Sequence, residues 1–361
     1  MTSDLLGLYV HIPFCSVKCF YCDFTAVAHQ GRSVSRYLDA LLRETERRVT
    51  RRPDTIYVGG GTPSELSAEQ IAHLFSFLPA GCSEVTFEAN PESLDSEKLD
   101  ALEKAGVTRL SLGLQTHDNE LLKAIGRRHS KEDFVRIYNL ARGRFSTSID
   151  LMYGLPGQTV ESFAGSLGFV LGLDPAHVSV YGLQVEDRTL FAKRAVETDE
   201  DLGREMFEYC VDTLILNGYE HYELSNFAKP GARSAHNLNY WHDGEYVGVG
   251  CGAASYLGGT RSTNVDRLPA YIEAQDPTGE SERLTGKHKL GESLMLGLRL
   301  VGGFQPTREM EESFASELSN LETRGLLERE GNRLCLSREG IFLANQVFRE
   351  FVPPYAEAVN A

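Results

Sequence analysis

Three of the seven cysteines lie close together near the start of the chain, and they constrain the protein more than any other feature. Cys15, Cys19 and Cys22 have the spacing C-x3-C-x2-C and directly follow an apolar run, Leu8 to Ile12, that predicts a β-strand. One loop can present three thiolates at this spacing to a four-iron cluster. The fourth iron would have no cysteine nearby, so a small molecule with an amine and a carboxylate could chelate it.

Two other sites use closely spaced cysteines: a disulfide framework and a zinc site. Three cysteines in one short loop cannot all pair, and Met1 to Asp4 lack the basic segment of a secretory signal. A zinc site would need a fourth ligand, and the nearby His11 and His29 keep that alternative open. No run of about 18 uncharged apolar residues predicts a membrane span. Reduced thiols without an export signal therefore indicate the cytoplasm.

The residues around the cysteines resemble a known family. The segment before them reads Tyr9-Val10-His11-Ile12-Pro13-Phe14, and an aromatic residue, Tyr21, precedes the last cysteine. This pattern resembles the radical S-adenosylmethionine (SAM) superfamily, in particular the branch of oxygen-independent coproporphyrinogen III oxidase and the HemW-type heme chaperones. The resemblance covers nearly the whole chain and is least specific after residue 285. It implies a 4Fe-4S cluster on the three cysteines with SAM at the open iron.

Short apolar runs alternate with amphipathic stretches up to about residue 217, which predicts βαβ units and a parallel sheet. The predicted strands are Leu8–Ile12, Thr55–Val58, Glu84–Glu88, Arg109–Leu114, Thr147–Met152 and His177–Leu183. The predicted helices between them are Ser33–Val49, Ala68–Phe77, Asp95–Ala105, Lys131–Ala141 and Val160–Leu171. We therefore expect an α/β fold in which residues 1–217 form a partial (β/α)6-type radical SAM barrel.

Two further regions are predicted after the barrel. Residues 218–284 are rich in Gly, Tyr, Asn and His and predict an irregular connecting region. Residues 285–361 predict a smaller, winged-helix-like domain from helices Lys287–Leu300, Thr307–Phe314 and Glu317–Arg324, a hairpin Leu326–Leu336 and a last helix Glu339–Phe351. With 51 acidic and 36 basic residues the net charge is −15, which opposes nucleic-acid binding. We interpret the last domain as a substrate-covering or partner-binding element.

Polar and glycine residues follow the predicted strands, and the carboxyl ends of barrel strands line active sites. Gly59-Gly60-Gly61-Thr62 follows the second strand, where glycine lets the backbone approach a ligand, although a tight turn explains the run almost as well. A helix cap is likewise an alternative for Glu88. The family resemblance implies that SAM contacts Tyr9, Tyr21, Gly60, Gly61, Thr62, Glu88, Gln115, Arg127 and Asp150. It also implies an electron donor for the cluster and radical cleavage of SAM.

A second group of residues is His236-Asn237-Leu238-Asn239-Tyr240-Trp241, which contains the only tryptophan. An imidazole can bind heme iron axially while aromatic rings pack on the macrocycle. The alternative is a structural turn whose histidine is satisfied by hydrogen bonds. The pattern H-N-x-x-Y-W resembles that of HemW-type heme chaperones, which implies heme contacts from His236, Asn237, Tyr240 and Trp241. His221 and His242 are rival ligands.

Two members of the branch predict different functions. The oxidase usually has a fourth cysteine where this chain has Phe24, and a longer segment before the cluster. Both differences favour a heme chaperone that transfers heme to acceptor apo-hemoproteins. The alternative is the enzyme oxygen-independent coproporphyrinogen III dehydrogenase, and a DNA-binding regulator is disfavoured by the acidic charge. Productive SAM cleavage, the acceptor, the oligomeric state and peripheral membrane contact are left open.

Overall fold

The computed structural model describes residues 5–24, 26–28 and 31–353. Met1 to Asp4 and His29, which were used above to weigh export and a zinc site, lie outside these residues.

The strands, in chain order, are β1 Leu6–Ile12, β2 Phe14–Cys15, β3 Val27–Ala28, β4 Thr55–Gly60, β5 Glu84–Ala89, β6 Arg109–Gln115, β7 Ser146–Tyr153, β8 His177–Gly182, β9 Glu220–Glu223, β10 Asn226–Ala228, β11 Glu245–Val249, β12 Ala254–Leu257, β13 Thr260–Asn264, β14 Thr278–Arg283, β15 Leu327–Glu330 and β16 Arg333–Leu336. The helices are α1 Gly31–Arg48, α2 Ala68–Phe77, α3 Ser96–Lys104, α4 Asn119–Ala124, α5 Lys131–Ala141, α6 Val160–Leu173, α7 Leu190–Lys193, α8 Glu200–Leu216, α9 Ala235–Trp241, α10 Leu268–Glu273, α11 Gly286–Gly297, α12 Arg308–Ser313, α13 Ala315–Thr323, α14 Arg338–Phe342 and α15 Ala344–Arg349. The six predicted strands are present as β1, β4, β5, β6, β7 and β8.

One sheet contains twelve of the strands, in the order β14-β13-β12-β11-β1-β4-β5-β6-β7-β8-β10-β9. Its centre, from β1 to β8, is parallel, and helices connect the successive strands. These strands are buried almost throughout; every residue of β6 is buried, for example. Parallel strands that are buried on both faces have nearly continuous apolar sequences, which is why these strands could be predicted. The predicted α/β fold with a parallel sheet at its centre is confirmed.

The segment 218–284 is not irregular, so this part of the prediction was wrong. Its strands extend the sheet at both edges: β10 and β9 add antiparallel beside β8, and β11 pairs parallel with β1 before β12 to β14 continue antiparallel. The strands have only three to six residues. Strands this short, with polar and glycine residues, have a weak intrinsic preference for β-structure. They are stabilised mainly by pairing with the existing sheet, so their sequences do not predict them. The division into domains stays a prediction.

A smaller C-terminal unit contains α11 to α15 and the β15–β16 hairpin, with its own core that includes Phe314, Leu321 and Phe351. The last predicted helix, Glu339–Phe351, was wrong in one respect, because it is divided into α14 and α15 at Leu343. Neither glycine nor proline marks this break, so the sequence carried no stop signal. Within residues 5–24, 26–28 and 31–353, no helix combines the length and the apolar character that crossing a membrane requires.

Candidate functional site

The carboxyl ends of the central parallel strands open into one cavity of about 410 Å³, which we call the cysteine cavity. Ligand sites of α/β barrels lie at this end because the loops after the strands meet there. The sequence-predicted cluster and SAM residues that line it are Cys15, Cys19, Tyr21, Cys22, Gly60, Gly61, Thr62, Glu88, Gln115, Arg127 and Asp150. Residues from six separate chain segments are thus brought together.

The three cysteines have free thiols and are half-buried in this cavity. The backbone N–H of Cys22 donates to the carbonyl oxygen of Cys19 at 3.2 Å, which tightens the loop. Burial raises the pKa of the Cys15 thiol to about 11, opposed by its 3.3 Å hydrogen bond with Thr62 Oγ1. Metal binding must therefore displace the Cys15 proton. In the part of the chain that the structure describes, no three His, Cys, Asp or Glu side chains are grouped so as to hold a metal ion.

The glycine-rich turn after β4 is fixed by its own backbone. Gly60 N–H donates to Glu88 Oε2 at 3.2 Å, and the N–H groups of Gly61 and Thr62 donate at 2.8 Å to carbonyls that lead into the cysteine loop. Gly60 has a φ of +114°, and a Cβ there would lie 2.6 Å from the His11 ring. Glycine is therefore required at this position. These three N–H groups are already hydrogen-bonded within the protein. The backbone groups of this turn that remain for a ligand amine are therefore carbonyl oxygens, which accept hydrogen bonds.

Two carboxylates, Glu88 and Asp150, face the cysteine cavity. Burial raises the pKa of Glu88 to about 7, although Tyr57 donates a 2.6 Å hydrogen bond that opposes the rise. Burial also raises the pKa of Asp150 to about 6, against hydrogen bonds that include one of 3.0 Å from Ser111. A cationic ligand close to either group would favour its ionised form.

Arg127 links the cysteine loop to the strand ends. It donates to Tyr21 Oη at 2.8 and 3.2 Å and to Asn90 Oδ1 at 2.6 Å. Asn90 in turn donates to Thr62 Oγ1 at 3.2 Å. Sequence reasoning missed Asn90 as a site residue, although its position directly after β5 was a usable signal.

Gln115 is held in a strained position at the end of β6. Its φ is +69°, a conformation that residues other than glycine seldom adopt, and its side chain is buried. The pairing of β6 with β7 shifts register between Gly113 and Gln115. A Cβ at Gly113 would lie 3.0 Å from Gln115 Nε2 and 3.1 Å from Asn90 Oδ1. The irregular register therefore re-aims the Gln115 side chain into the cavity.

A second cavity, also of about 410 Å³, lies where α9 and strands β11 to β13 meet α11; we call it the aromatic cavity. Its aromatic lining residues are Tyr9, Phe24, Tyr240, Trp241, Tyr246 and Tyr256. Tyr9, which was expected to contact SAM, lines this cavity, and its ring lies against that of Tyr57 with the centroids 6.2 Å apart. Phe24 lines both cavities and is 62% exposed.

The H-N-x-x-Y-W motif is divided between the two cavities. Asn237 lines the cysteine cavity, whereas Tyr240 and Trp241 line the aromatic cavity. His236 lines neither and is 1% exposed, with Nδ1 2.8 Å from Thr55 Oγ1 and Nε2 2.8 Å from Tyr240 Oη. Burial lowers the pKa of His236 to about 3. In this arrangement both imidazole nitrogens have hydrogen-bond partners, and the axial role of His236 stays a prediction.

The two rival histidines also lie away from both cavities. His221 stacks on Phe227 with the ring centroids 4.2 Å apart, and burial lowers its pKa to about 4. His242 is an exposed residue directly after α9. A third cavity of about 920 Å³ lies between the ends of β7 and β8 and the helices α14 and α15, with Arg204, Phe342 and Arg349 in its walls.

Comparison with known proteins identifies the family. The model of the radical SAM superfamily matches residues 9–170, and that of the HemN C-terminal domain matches residues 284–343. A heme chaperone HemW from Bacillus subtilis is 38% identical over 372 residues, which span 95% of this chain and 98% of the relative. A heme chaperone HemW from Lactococcus lactis is 37% identical, with 95% and 96% covered. The chain belongs to the HemW heme chaperone family.

The structure of coproporphyrinogen III oxidase (HemN) from Escherichia coli superposes on this HemW-family chain with a TM-score of 0.84. The two are 24% identical, and the match covers 97% of this chain and 90% of HemN. The HemW-family chain and that radical SAM enzyme therefore share one fold, which includes the C-terminal unit.

Proposed function

We propose that this protein is a heme chaperone that binds a 4Fe-4S cluster and SAM in the cysteine cavity and transfers heme to acceptor apo-hemoproteins. One observation carries the proposal: the relatives that match nearly the full length of the chain are named heme chaperones. An electron donor for the cluster is a further proposed partner.

The residues of the cysteine cavity fit a cluster with an open iron. Three free thiols from one loop face one cavity, and the Thr62 hydroxyl lies 3.3 Å from the Cys15 sulfur. When bound, the reduced cluster would supply an electron for cleavage of SAM. Cys15, Cys19 and Cys22 would hold the cluster, and the protein's remaining task is to orient SAM.

The other walls of the cysteine cavity suit the cationic nucleotide. The ammonium and sulfonium of SAM would favour the ionised forms of Glu88 and Asp150, whose pKa values burial raises to about 7 and about 6. Gln115, fixed by its strained backbone, and Arg127, fixed by Tyr21, offer preorganised hydrogen-bond donors. Preorganised donors bind a ligand without further loss of side-chain entropy.

Phe24 supports a chaperone over the dehydrogenase. Its position is where the oxidase branch usually has a fourth cysteine, and here a mostly exposed phenyl ring borders both cavities. Phe24 therefore offers apolar surface to a ligand, whereas a cysteine at this position would offer a thiolate.

One experiment separates the two functions. The full-length protein, reconstituted anaerobically with iron and sulfide, is titrated with heme and then mixed with an apo-globin as acceptor. A parallel sample receives reductant, SAM and coproporphyrinogen III. We expect saturable heme binding and transfer to the globin without conversion of the porphyrinogen. Formation of protoporphyrinogen IX would overturn the proposal in favour of the dehydrogenase.

A further inference from the structure

We propose that Thr62 donates a hydrogen bond to the sulfur of Cys15, that Asn90 orients the Thr62 hydroxyl for it, and that the pair raises the reduction potential of the cluster. The inference rests on the cluster part of the proposed function and does not involve heme. It makes Asn90 a positioning residue, and it gives the hydroxyl of Thr62, a residue expected to contact SAM, a different partner.

The orientation of the Asn90 amide is set by Arg127. An arginine side chain carries only hydrogen-bond donors. Arg127 Nη1 lies 2.6 Å from Asn90 Oδ1, so the amide oxygen must face Arg127 and the amide nitrogen must face away from it. Arg127 is itself held by Tyr21, and the backbone N–H of Asn90 donates to Ser64 Oγ at 3.0 Å. Asn90 is therefore fixed through both its side chain and its backbone.

The amide nitrogen of Asn90 faces the Thr62 hydroxyl. Asn90 Nδ2 donates to Thr62 Oγ1 at 3.2 Å. A hydroxyl has one proton to donate, and its oxygen can accept. Because this oxygen already accepts from Asn90, the proton is directed to the other neighbour of the hydroxyl, Cys15 Sγ at 3.3 Å. Thr62 is buried, so bulk water competes little for that proton.

Metal binding fixes the direction of this hydrogen bond. With a free thiol, either Thr62 or Cys15 could donate. A cysteine that ligates iron is a thiolate and has no proton left, so Thr62 must be the donor. Reduction adds one electron from an external reductant to the cluster; no bond forms or breaks, and the hydroxyl keeps its proton. A hydrogen bond to a ligand sulfur stabilises the added negative charge, which raises the reduction potential.

Cys15 and Cys22 receive hydrogen bonds from different kinds of donor. The Cys22 sulfur is hydrogen-bonded by the backbone N–H of Phe24, which a side-chain substitution leaves in place. The donor to Cys15 is a side chain and can be removed alone. Thr86 offers a matched control, because it lines the same cavity and its buried hydroxyl has no hydrogen-bond partner within the described residues.

The test compares five full-length proteins: the wild type, Thr62→Val, Thr62→Ser, Asn90→Leu and Thr86→Val. Valine has the shape of threonine without the hydroxyl, serine keeps the hydroxyl, and leucine is close to asparagine in size but has no amide. Each protein is reconstituted anaerobically with iron and sulfide, and its iron and sulfide content is measured. A redox titration without SAM, followed by electron paramagnetic resonance of the reduced cluster, gives the reduction potential.

We expect Thr62→Val to lower the ratio of reduced to oxidised cluster at a fixed potential by about three- to tenfold, where tenfold corresponds to about 59 mV for one electron. Thr62→Ser should keep the wild-type potential. Asn90→Leu should shift the potential in the same direction as Thr62→Val but less, because the hydroxyl remains without being oriented. Thr86→Val should match the wild type.

Failure of the inference and failure of the proposed function give different results. If the wild type takes up no iron and sulfide, the proposed cluster is wrong and the inference falls with it. If the wild type holds the cluster and Thr62→Val has the same potential, only the hydrogen bond to Cys15 is overturned. An equal shift in Thr86→Val would also overturn it, because the potential would then follow the polarity of the cavity. If Thr62→Val holds no cluster, Asn90→Leu decides, and a wild-type potential there would overturn the inference.

Discussion

The cysteine cavity and the aromatic cavity share a wall but are assembled in different ways. The cysteine cavity is lined by residues at the ends of neighbouring parallel strands. Most of these residues lie at the end of a strand or in the loop that directly follows it. The second combines β1 with α9, β11 to β13 and α11, which come more than 200 residues later in the sequence than β1. Their chemistry differs as well, because acidic and polar groups line the first and aromatic rings line most of the second.

The difference in lining indicates that the two cavities suit different ligands. A barrel mouth with buried carboxylates and thiols suits a metal cluster and a cationic nucleotide, whereas a wall of aromatic rings suits a macrocycle. The layer between the cavities contains Tyr57, which donates a hydrogen bond to Glu88, and His236, which is hydrogen-bonded to Tyr240. The ring centroids of Tyr57 and His236 are 5.3 Å apart. Four measurements can break or sharpen this comparison.

The largest effect is expected from Cys19→Ala. Removing one of three thiolates should abolish the cluster, so iron and sulfide should fall to background after reconstitution. Heme affinity should stay within about twofold of the wild type, because the change is confined to the other cavity. Cys82→Ala, a half-buried cysteine away from the loop, should keep the full cluster. Loss of heme binding in Cys19→Ala would mean that the two cavities are one functional site.

His236→Ala tests the layer between the cavities. It leaves the Thr55 hydroxyl and the Tyr240 hydroxyl without their buried partner, so the free energy of unfolding should fall by about 2–4 kcal/mol. Heme affinity should fall because Tyr240 loses its support, while the cluster is retained. His236→Gln keeps a neutral donor and acceptor and should recover part of both losses. Unfolding by urea and titration with heme measure the two effects.

The heme spectrum of the same variants shows which role His236 has. If His236 supports Tyr240, ferric heme bound to His236→Ala should keep the spin state that it has in the wild type. A change of spin state, with no recovery in His236→Gln, would mean that the imidazole ligates the iron after all.

Glu88→Gln should change the pH dependence of stability. The pKa of Glu88 is raised from 4.5 to about 7 in the folded protein, so the native state holds an extra proton between these values. The free energy of unfolding therefore falls as pH rises through this window, by about 3 kcal/mol from this group. Glu88→Gln should lack that part of the fall, and the smaller fall from Asp150 should remain.

Urea unfolding across this pH range measures the difference between Glu88→Gln and the wild type. The exposed Glu97→Gln on α3 is the control and should follow the wild-type curve. If Glu88→Gln also follows that curve, Glu88 is ionised throughout and the cysteine cavity is more polar than its burial implies.

The smallest effect is expected from Phe24→Ala. Since the ring is 62% exposed, the free energy of unfolding should change by less than about 0.5 kcal/mol. Heme affinity should fall about threefold, because a ligand in the aromatic cavity loses part of its apolar cover. Leu216→Ala on α8, where the side chain is 86% exposed, should change neither quantity. An unchanged heme affinity in Phe24→Ala would place the ligand away from the shared wall.

Much of the cysteine cavity could be predicted from the sequence. The thiol spacing is local, and the rule that loops after parallel strands meet at one edge places Glu88, Gln115 and Asp150 together once their strands are recognised. The strands were recognisable because both of their faces are buried. Asn90 could have been found by the same rule. The confirmed fold rests on these local signals.

The aromatic cavity could not be predicted in the same way. Its strands are short and become regular only by pairing with β1, and its helix α9 is capped by Glu84, about 150 residues earlier in the chain. The place of His236 is decided by Thr55, 181 residues away, and that of Tyr9 by the ring of Tyr57.

Sequence alone thus specified the ligand-bearing loop, the parallel sheet and the edge at which the strands open, since each follows from neighbouring residues. Only the tertiary structure decided which side chains of the H-N-x-x-Y-W motif face a cavity and which one is buried. The reason is physical: a buried histidine must satisfy both nitrogens, and its partners here come from distant parts of the chain.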